Sequence, residues 1–195
     1  MGKLFPAIDA SLRTFLASQH VFFVATAPSG DGGHVNCSPR SADTFRVLGP
    51  TTVGWLDGIG SGIETVAHLR QNGRIVLMFC AFDGAPKIVR LHGRGTVIET
   101  GDPEFAGLRP GFGDVPFAVR AILRIELSRI SDSCGFGVPL YDHVGERDHM
   151  VKWSARKGIE GAQAYMREKN ARSLDALPGL RWPGDDRRDG SMLSP

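Results

Sequence analysis

The stretch that decides the fold is GWLDGIGSGIETVAHLRQNGRIVLMF, residues 54–79. Its first residues predict a strand that ends at Leu56, and its last residues belong to a continuously apolar strand over residues 74–82. Between them, a glycine-rich turn leads into a helix whose apolar residues recur at helical spacing and whose end is marked by Gly73. Two strands with one short helix inserted between them therefore form the centre of the predicted fold.

Strand patterns continue on both sides of this centre. The sequence predicts strands over residues 21–26, 34–38, 44–48, 51–56, 74–82, 87–100 and 119–127. The spacing of Ile8, Leu12, Phe15 and Leu16 predicts a helix before them, and residues 151–169 predict a helix after them. A doubly wound parallel sheet would need a helix after nearly every strand. We therefore expect a mainly β fold with flanking helices, built as a small antiparallel barrel of six or seven strands.

The composition divides the chain into three parts. Residues 1–130 hold the predicted barrel. From Ser131 onward, several glycines and a proline precede the second helix, so we expect residues 131–180 to form a helical extension packed on the barrel or on a partner copy. Residues 181–195 contain few apolar side chains, which predicts a flexible tail.

The overall composition excludes several classes of protein. Of 195 residues, 42% are hydrophobic and 23% charged, and 23 basic against 21 acidic side chains leave a net charge of +2. That balance argues against a general nucleic-acid binder. No apolar run approaches the roughly 20 residues of a membrane helix, and the first residues lack the apolar core of a signal peptide. We expect a cytoplasmic protein.

The three cysteines, Cys37, Cys80 and Cys134, are odd in number and far apart. No CxxC or HExxH spacing occurs, so we expect no metal site, and reduced thiols that serve in packing. A nucleophilic Cys134 assisted by His143 is the less favoured alternative. Trp153 is expected to pack its helix, with a lid over a flat ligand as the alternative.

The helix start after the glycine-rich turn is one candidate binding site. Free backbone N–H groups and the positive end of the helix dipole favour an anion there, and Ser61 and Thr65 could add hydroxyl donors. The alternative is a tight strand-to-helix turn with Ser61 as the helix cap. No GxxxxGK[ST] or GxGxxG pattern decides between the two.

Two strands carry further polar side chains. In HVNCSPRS, residues 34–41, we expect Asn36, Ser38 and Arg40 on one face, as a polar wall for a ligand or as a solvated stripe, with Val35 and Cys37 toward the core. In KIVRLHGRG, residues 87–95, Arg90, His92 and Arg94 alternate in the same way. That basic stripe could hold an acidic ligand, although pairing with a carboxylate such as Glu126 is favoured.

No paired carboxylates, serine nucleophile elbow or metal cluster stands out, so we assign no catalytic residue. Chemistry would come from a bound cofactor. In this order, HVNCSPRS, the following FRVL strand, residues 54–82 and KIVRLHGRG resemble the pyridoxamine 5′-phosphate oxidase-like family of flavin-binding split-barrel proteins. The resemblance covers roughly residues 8–130. Later segments such as SDSCGFGVP and WSARKG resemble a bacterial branch described only as oxidase-related.

The resemblance implies a split β-barrel homodimer that binds FMN in two clefts at the dimer interface. It implies that the polar strand and the end of the next strand lie along the flavin, and that the turn and helix start bind the phosphate. The implied cofactor-binding residues are Asn36, Ser38, Arg40, Trp55, Leu56, Asp57, Ser61, Gly62, Glu64, Thr65 and Arg90.

We expect an FMN-dependent oxidoreductase acting on a small substrate. True oxidases of the family carry an Arg-Lys pair where this chain has Glu64-Thr65, so we do not expect oxidation of vitamin B6 phosphates. The alternative is a non-catalytic haem- or flavin-binding protein for storage, sensing or stress protection, and some split-barrel relatives bind haem or a deazaflavin. The candidate haem ligands are His34, His68, His92, His143 and His149.

Overall fold

The structure, a computed structural model, describes residues 2–182. These residues form eight strands and four α-helices. In chain order they are β1 (Leu4–Phe5), α1 (Ala10–Ala17), β2 (Val21–Thr26), β3 (Asn36–Ser41), β4 (Arg46–Val47), β5 (Thr52–Gly58), α2 (Glu64–Asn72), β6 (Arg74–Cys80), β7 (Ile88–Glu99), α3 (Pro103–Leu108), β8 (Val119–Ser133) and α4 (His149–Lys169). Short 3-10 turns cover Ala42–Thr44 and Arg109–Phe112.

All strand pairs are antiparallel, in the order β3-β2-β6-β7-β8-β5-β4, and β1 pairs with β8. The sheet is curled into a half-barrel, which confirms the mainly β, split-barrel prediction. The curl is supported by β7 and β8, whose pairing register shifts between His92 and Gly93. The two-residue strand β1 was not predicted.

The core lies on the inner face of the half-barrel. Strict alternation in β2 buries Phe22, Val24 and Thr26 and leaves the intervening residues half-exposed. Phe22 stacks on Phe79 with ring centroids 5.2 Å apart and meets the edge of Trp55 at 5.5 Å. This aromatic centre brings β2, β5 and β6 together, and it fixes the position of the end of β5.

Two helices follow their sequence signals. Asp9 caps α1 by accepting a 2.8 Å hydrogen bond from the Leu12 backbone N–H, and the helix buries Leu12 and Leu16. The helix has eight residues and begins after Ile8, the first residue of the predicted apolar spacing. Gly73 ends α2 in the left-handed conformation at φ 70°, as its position predicts.

The C-terminal extension lies against the half-barrel. Helix α4 contains non-helical backbone at Gly158, and after it Asn170 and Leu180 are buried. Arg181 pairs with Glu99, and Trp182 packs on the core, so the first two residues of the predicted tail contact the body of the domain. Residues 183–195 of that tail lie outside the described residues.

The predicted shared face of Asn36, Ser38 and Arg40 on β3 is confirmed, but the prediction that Val35 and Cys37 point toward the core is wrong. Asn36, Ser38 and Arg40 are the half-buried residues, whereas Cys37 is exposed and Val35, just before the strand, is 76% exposed. The cause is the register with β2, since directly paired residues point to the same face. The polar residues pair with core residues, namely Asn36 with Thr26, Ser38 with Val24 and Arg40 with Phe22.

Two other expectations also fail. Of the three free cysteines, Cys80 is buried, but Cys37 and Cys134 are exposed and so do not serve in packing. Arg120 alternates with the apolar residues of the strand, a pattern that predicts a solvent-facing side chain, yet it is only 2% exposed, because an acidic partner lies beside it in the interior. Within residues 2–182, none of the helices combines the length and the apolar content that a membrane crossing requires.

Candidate functional site

A pocket of about 1010 Å3 opens between the half-barrel and the C-terminal extension. The half-barrel lines the pocket with residues from the C-terminal end of β3, the C-terminal end of β5 and Phe117. The extension contributes His143, residues 145–151, Trp153 and Tyr165. Of the predicted cofactor residues, the pocket brings together Arg40, Trp55, Leu56 and Asp57.

Aromatic rings line both sides of this pocket. On the extension, the rings of Trp153 and Tyr165 meet edge to face with centroids 4.9 Å apart. On the half-barrel, Trp55 and Phe117 line the pocket. Trp153 thus packs against Tyr165 of its own helix, as expected, and it also lines the pocket. Its alternative role as a lid over a flat ligand stays a prediction. Aromatic walls suit a flat heterocycle.

At the pocket lies a group of side chains that we call the charged cluster: the half-buried Arg40 and the buried Asp57, Arg120 and Asn170. Arg120 Nε donates to Asp57 Oδ2 at 2.7 Å, and Arg40 Nη2 lies 3.5 Å from Asp57 Oδ1. Burial alone would raise the pKa of Asp57, but the two guanidinium groups outweigh burial and lower it below its ordinary value. Asp57 is therefore a fixed negative charge.

The charged cluster also joins the extension to the half-barrel. Arg120 donates to Asn170 Oδ1 at 3.1 Å and to the Gly60 carbonyl at 3.2 Å. The Asn170 side chain donates to the same carbonyl at 2.8 Å. Because Asn170 is fully buried, these bonds hold the end of α4 on the turn that leaves β5.

Three buried polar atoms of pocket-lining side chains make no hydrogen bond within residues 2–182. They are Arg40 Nε, Trp55 Nε1 and Asp57 Oδ1. Two of these atoms are donors and one is an acceptor. Buried polar groups normally have partners, so such a set beside a pocket is expected where a ligand binds.

A second group, which we call the neutral cluster, contains Asn36, Ser38, Thr65, Thr26 and His68. Asn36 Nδ2 donates to Thr65 Oγ1 at 3.1 Å and to Thr26 Oγ1 at 3.2 Å, and Ser38 donates to Asn36 at 2.9 Å. Thr26 Oγ1 lies 2.9 Å from His68 Nδ1. The structure therefore places three predicted cofactor residues in a hydrogen-bonded set outside the lining of the pocket.

At the start of α2, Ser61 and Gly62 are exposed. Ile63 is the N-cap residue, and no side chain caps the helix, so Ser61 is not the cap. The Glu64 carboxylate accepts a 3.1 Å hydrogen bond from the Leu174 backbone N–H. The turn reaches the pocket through Ile59, which lines it two residues before Ser61.

The remaining predicted cofactor residue, Arg90, lies elsewhere and donates to Ser133 Oγ at 2.9 Å. Its neighbour in the basic stripe, Arg94, donates to the Asn72 carbonyl, and Glu126 accepts from Thr52. The stripe thus binds polar groups, and among the described residues it forms no ion pair with Glu126.

The five candidate haem ligands lie in different surroundings, and two of them, His143 and His149, line the pocket. His34 binds Asp175 at 2.6 Å, His68 is buried in the neutral cluster, and His92 is half-buried on β7. Burial lowers the pKa of His92, and the nearby Arg129 and Arg90 lower it further. His143 binds Glu146 and lines the pocket together with His149.

Sequence reasoning missed three residues. Arg120 alternates with apolar residues and looked solvent-facing, and Asn170 lies in a segment without a motif. His20, also at the pocket, stacks on His143 with ring centroids 3.6 Å apart, a contact between remote segments that sequence spacing does not reveal.

Comparison with known proteins gives a family match and a shared fold. The family model for pyridoxamine 5′-phosphate oxidase matches residues 8–134. The pyridoxamine 5′-phosphate oxidase family protein ustO of Aspergillus flavus is 38% identical over 196 residues, spanning 92% of this chain and 78% of that protein.

Two crystal structures of HupZ from Group A Streptococcus, one of a single-residue variant, are each 20% identical. The variant has a TM-score of 0.52 and aligns over 65% of this chain and 99% of its own. The other has a TM-score of 0.51 and aligns over 63% of this chain and 91% of its own. At this identity the likeness shows the fold alone.

Proposed function

Because the chain belongs to the pyridoxamine 5′-phosphate oxidase family, we propose that it is an FMN-dependent oxidoreductase that holds the flavin ring in the pocket between the half-barrel and the C-terminal extension. The observation that carries this proposal is the set of buried atoms without a hydrogen bond on Arg40, Trp55 and Asp57 beside aromatic walls. The pocket volume of about 1010 Å3 is at the upper end of the range for small-molecule sites.

These three atoms, which make no hydrogen bond within residues 2–182, suit the polar edge of an isoalloxazine ring. That edge carries carbonyl and ring-nitrogen acceptors together with an N–H donor. Arg40 Nε and Trp55 Nε1 would donate to the acceptors, and Asp57 Oδ1 would accept from the N–H. The apolar faces of the ring would pack on Trp153 and Phe117. The residues present therefore fit a flavin.

The phosphate is the second part of the proposal. Ser61 and Gly62 are exposed at the start of α2, where backbone N–H groups and the helix dipole favour an anion. Glu64 already accepts from Leu174, which directs its carboxylate to the segment after α4. Thr65 is occupied by Asn36, so we expect Ser61 and the backbone, more than Thr65, to bind the phosphate.

FMN supplies the redox chemistry by accepting and donating a hydride or single electrons. The protein contributes binding, orientation and exclusion of water, and no side chain needs to act as an acid or base. The substrate is an unidentified small organic molecule. Glu64-Thr65 stands where the true oxidases carry a basic pair for the phosphate, so oxidation of vitamin B6 phosphates is not part of the proposal.

The proposal includes a cytoplasmic homodimer. The segment between β8 and α4 exposes large apolar side chains, among them Phe136 at 84% and Val144 at 99% exposure. Covering them with a second copy would remove apolar surface from water. Free thiols on the exposed Cys37 and Cys134 suit a reducing compartment.

The test is a titration of the purified, cofactor-free protein with FMN, in which the quenching of flavin fluorescence measures binding. We expect saturable binding by the wild type and at least about tenfold weaker binding by Arg40→Leu, because one lost hydrogen bond from a charged group costs about 1.5–3 kcal/mol. Arg129→Leu is the matched control, since Arg129 is exposed and lies outside the pocket lining. Absence of FMN binding, or equal affinity of both variants, would overturn the proposal.

A haem- or flavin-binding protein without turnover is the second candidate, favoured by the presence of His143 and His149 at the pocket. The absorption spectrum of the protein as purified separates the two candidates. A Soret band that disappears in His143→Ala would identify haem, and the mass of the released cofactor would distinguish FMN from a deazaflavin. Flavin without turnover of any electron donor would favour storage or sensing.

A further inference from the structure

Three potential metal ligands meet at the rim of the pocket. The ring nitrogens of His20 and His143 and a carboxylate oxygen of Glu146 all lie within 4.8 Å of one another. His143 Nε2 is 3.0 Å from Glu146 Oε1, and the two imidazole rings stack with an interplanar angle of 7°. His20 directly precedes β2, whereas the other two belong to the segment before α4, so only the tertiary fold brings the three together.

The chemistry of this set selects a class of metal. Two imidazole nitrogens and one carboxylate oxygen are borderline ligands that suit Zn²⁺ and its neighbours in the first transition row. Ca²⁺ and Mg²⁺ instead require oxygen ligands. Three protein ligands leave at least one coordination position open, which is the arrangement of a reactive or ligand-binding site and not of a closed structural site.

The side chains can converge on one ion with a small movement. In two parallel stacked rings the nitrogen lone pairs lie in parallel planes that do not meet at one ion, so one imidazole must turn about its side-chain bonds. All three side chains are exposed, and this rotation meets little resistance from packing. The ion would also neutralise the carboxylate and form an additional link between the half-barrel and the segment before α4.

We propose that His20, His143 and Glu146 form a binding site for a Zn²⁺-class divalent cation whose open position faces the pocket. The site would take a water molecule or an electron-pair donor of a ligand in the pocket. It does not depend on flavin binding, because none of its three ligands belongs to the residues assigned to the flavin. The sequence pattern alone predicted no metal site.

The experiment is a calorimetric titration of tag-free, chelator-treated, FMN-free protein with Zn²⁺ at pH 7.5, where imidazole is mostly neutral. We expect one ion per chain in the wild type. His143→Ala and Glu146→Gln should each weaken binding at least about tenfold, since even partners outside the ligand set change metal affinity 10- to 100-fold. Titration with Co²⁺ should add a visible absorption spectrum that reports tetrahedral nitrogen and oxygen coordination.

The matched control is His149→Ala, which removes an exposed histidine of the same rim that lies outside the three-residue set. It should bind Zn²⁺ like the wild type. Thermal melts of all variants establish that the exposed substitutions leave the fold intact. Absence of stoichiometric Zn²⁺ binding, or equal loss in His149→Ala and His143→Ala, would overturn the site. FMN binding is measured separately, so either proposal can fail alone.

Discussion

The charged cluster includes Asp57 near the end of β5 and the neutral cluster includes Thr65 near the start of α2, and different forces hold the two clusters together. The charged cluster centres on Asp57 and Arg120, which are 1% and 2% exposed. The neutral cluster centres on Thr26 and His68, which are 4% and 0% exposed, and it is a chain of hydroxyl, amide and imidazole hydrogen bonds. The central residues of the two clusters are buried to a similar degree, and the clusters differ in charge.

The two clusters differ in the kind of buried group that stays without a partner when one residue of the cluster is replaced. An uncompensated buried charge costs several kcal/mol, whereas an unpaired neutral group costs about 1–3 kcal/mol. The charged cluster also contains Asn170 of the extension, whereas the five residues of the neutral cluster belong to β2, β3 and α2. We therefore expect damage to the charged cluster to affect global stability and the extension, and damage to the neutral cluster to be smaller.

The largest effect is expected for Asp57→Ala. It leaves Arg120 buried beside Arg40 without an anion, and we expect a loss of about 3–5 kcal/mol in the free energy of unfolding, measured by urea denaturation. Asp31→Ala, in an exposed loop, is the matched control and should have little effect. The double variant Asp57→Leu with Arg120→Met should recover part of the loss; a double variant as unstable as the single one would show that charge is not the cause.

A smaller effect is expected for Asn170→Ala, which removes the bonds to Arg120 and to the Gly60 carbonyl. We expect about 1.5–3 kcal/mol less stability, because one of the lost bonds is to a charged group. The extension should also loosen, with faster tryptic cleavage within α4. Gln163→Ala, exposed on α4, is the control; equal cleavage rates in the two variants would contradict the role of Asn170 as the link.

The smallest effect is a dependence on pH that separates the clusters. Burial lowers the pKa of His68, although Asp175 and Glu64 oppose this, so the unfolded chain binds the proton more readily. The stability contributed by neutral His68 is complete above the ordinary histidine pKa of about 6.5 and is lost as the pH falls below it. The Asp57 contribution persists until the pH falls below about 4, because its pKa is also lowered in the fold.

The measurement is the unfolding free energy from pH 7.5 to 5. His68→Asn can keep a partner for Thr26 in place of Nδ1 and cannot be protonated, so it should reduce the decline over this range. A residual decline is expected from His92, whose pKa is lowered too. In the control variant His149→Ala, the unfolding free energy should fall with pH as it does in the wild type. If it falls as steeply in His68→Asn as in the wild type, the neutral cluster is not the source of the pH dependence.

Much of the fold could be predicted because its signals are local. The alternation in β2, the Asp9 cap of α1 and the left-handed Gly73 at the end of α2 each depend on a few neighbouring residues. The predicted site residues divide differently. Arg40, Trp55, Leu56 and Asp57 line one pocket, while Asn36, Ser38 and Thr65 form a separate hydrogen-bonded set. Their roles toward a cofactor stay predictions.

The sequence by itself determined the element types, the antiparallel class and the family, because periodicity, turn residues and the order of motifs can be recognised without knowing which residues are in contact. Tertiary structure alone decided the direction of the β3 side chains, the burial of Arg120 and the meeting of His20 with His143. An alternating sequence predicts that the two faces of a strand differ, but only the pairing register with the neighbouring strand decides which face points to the core. Likewise, a buried charge depends on a partner from another strand, and the distance along the chain does not identify that partner.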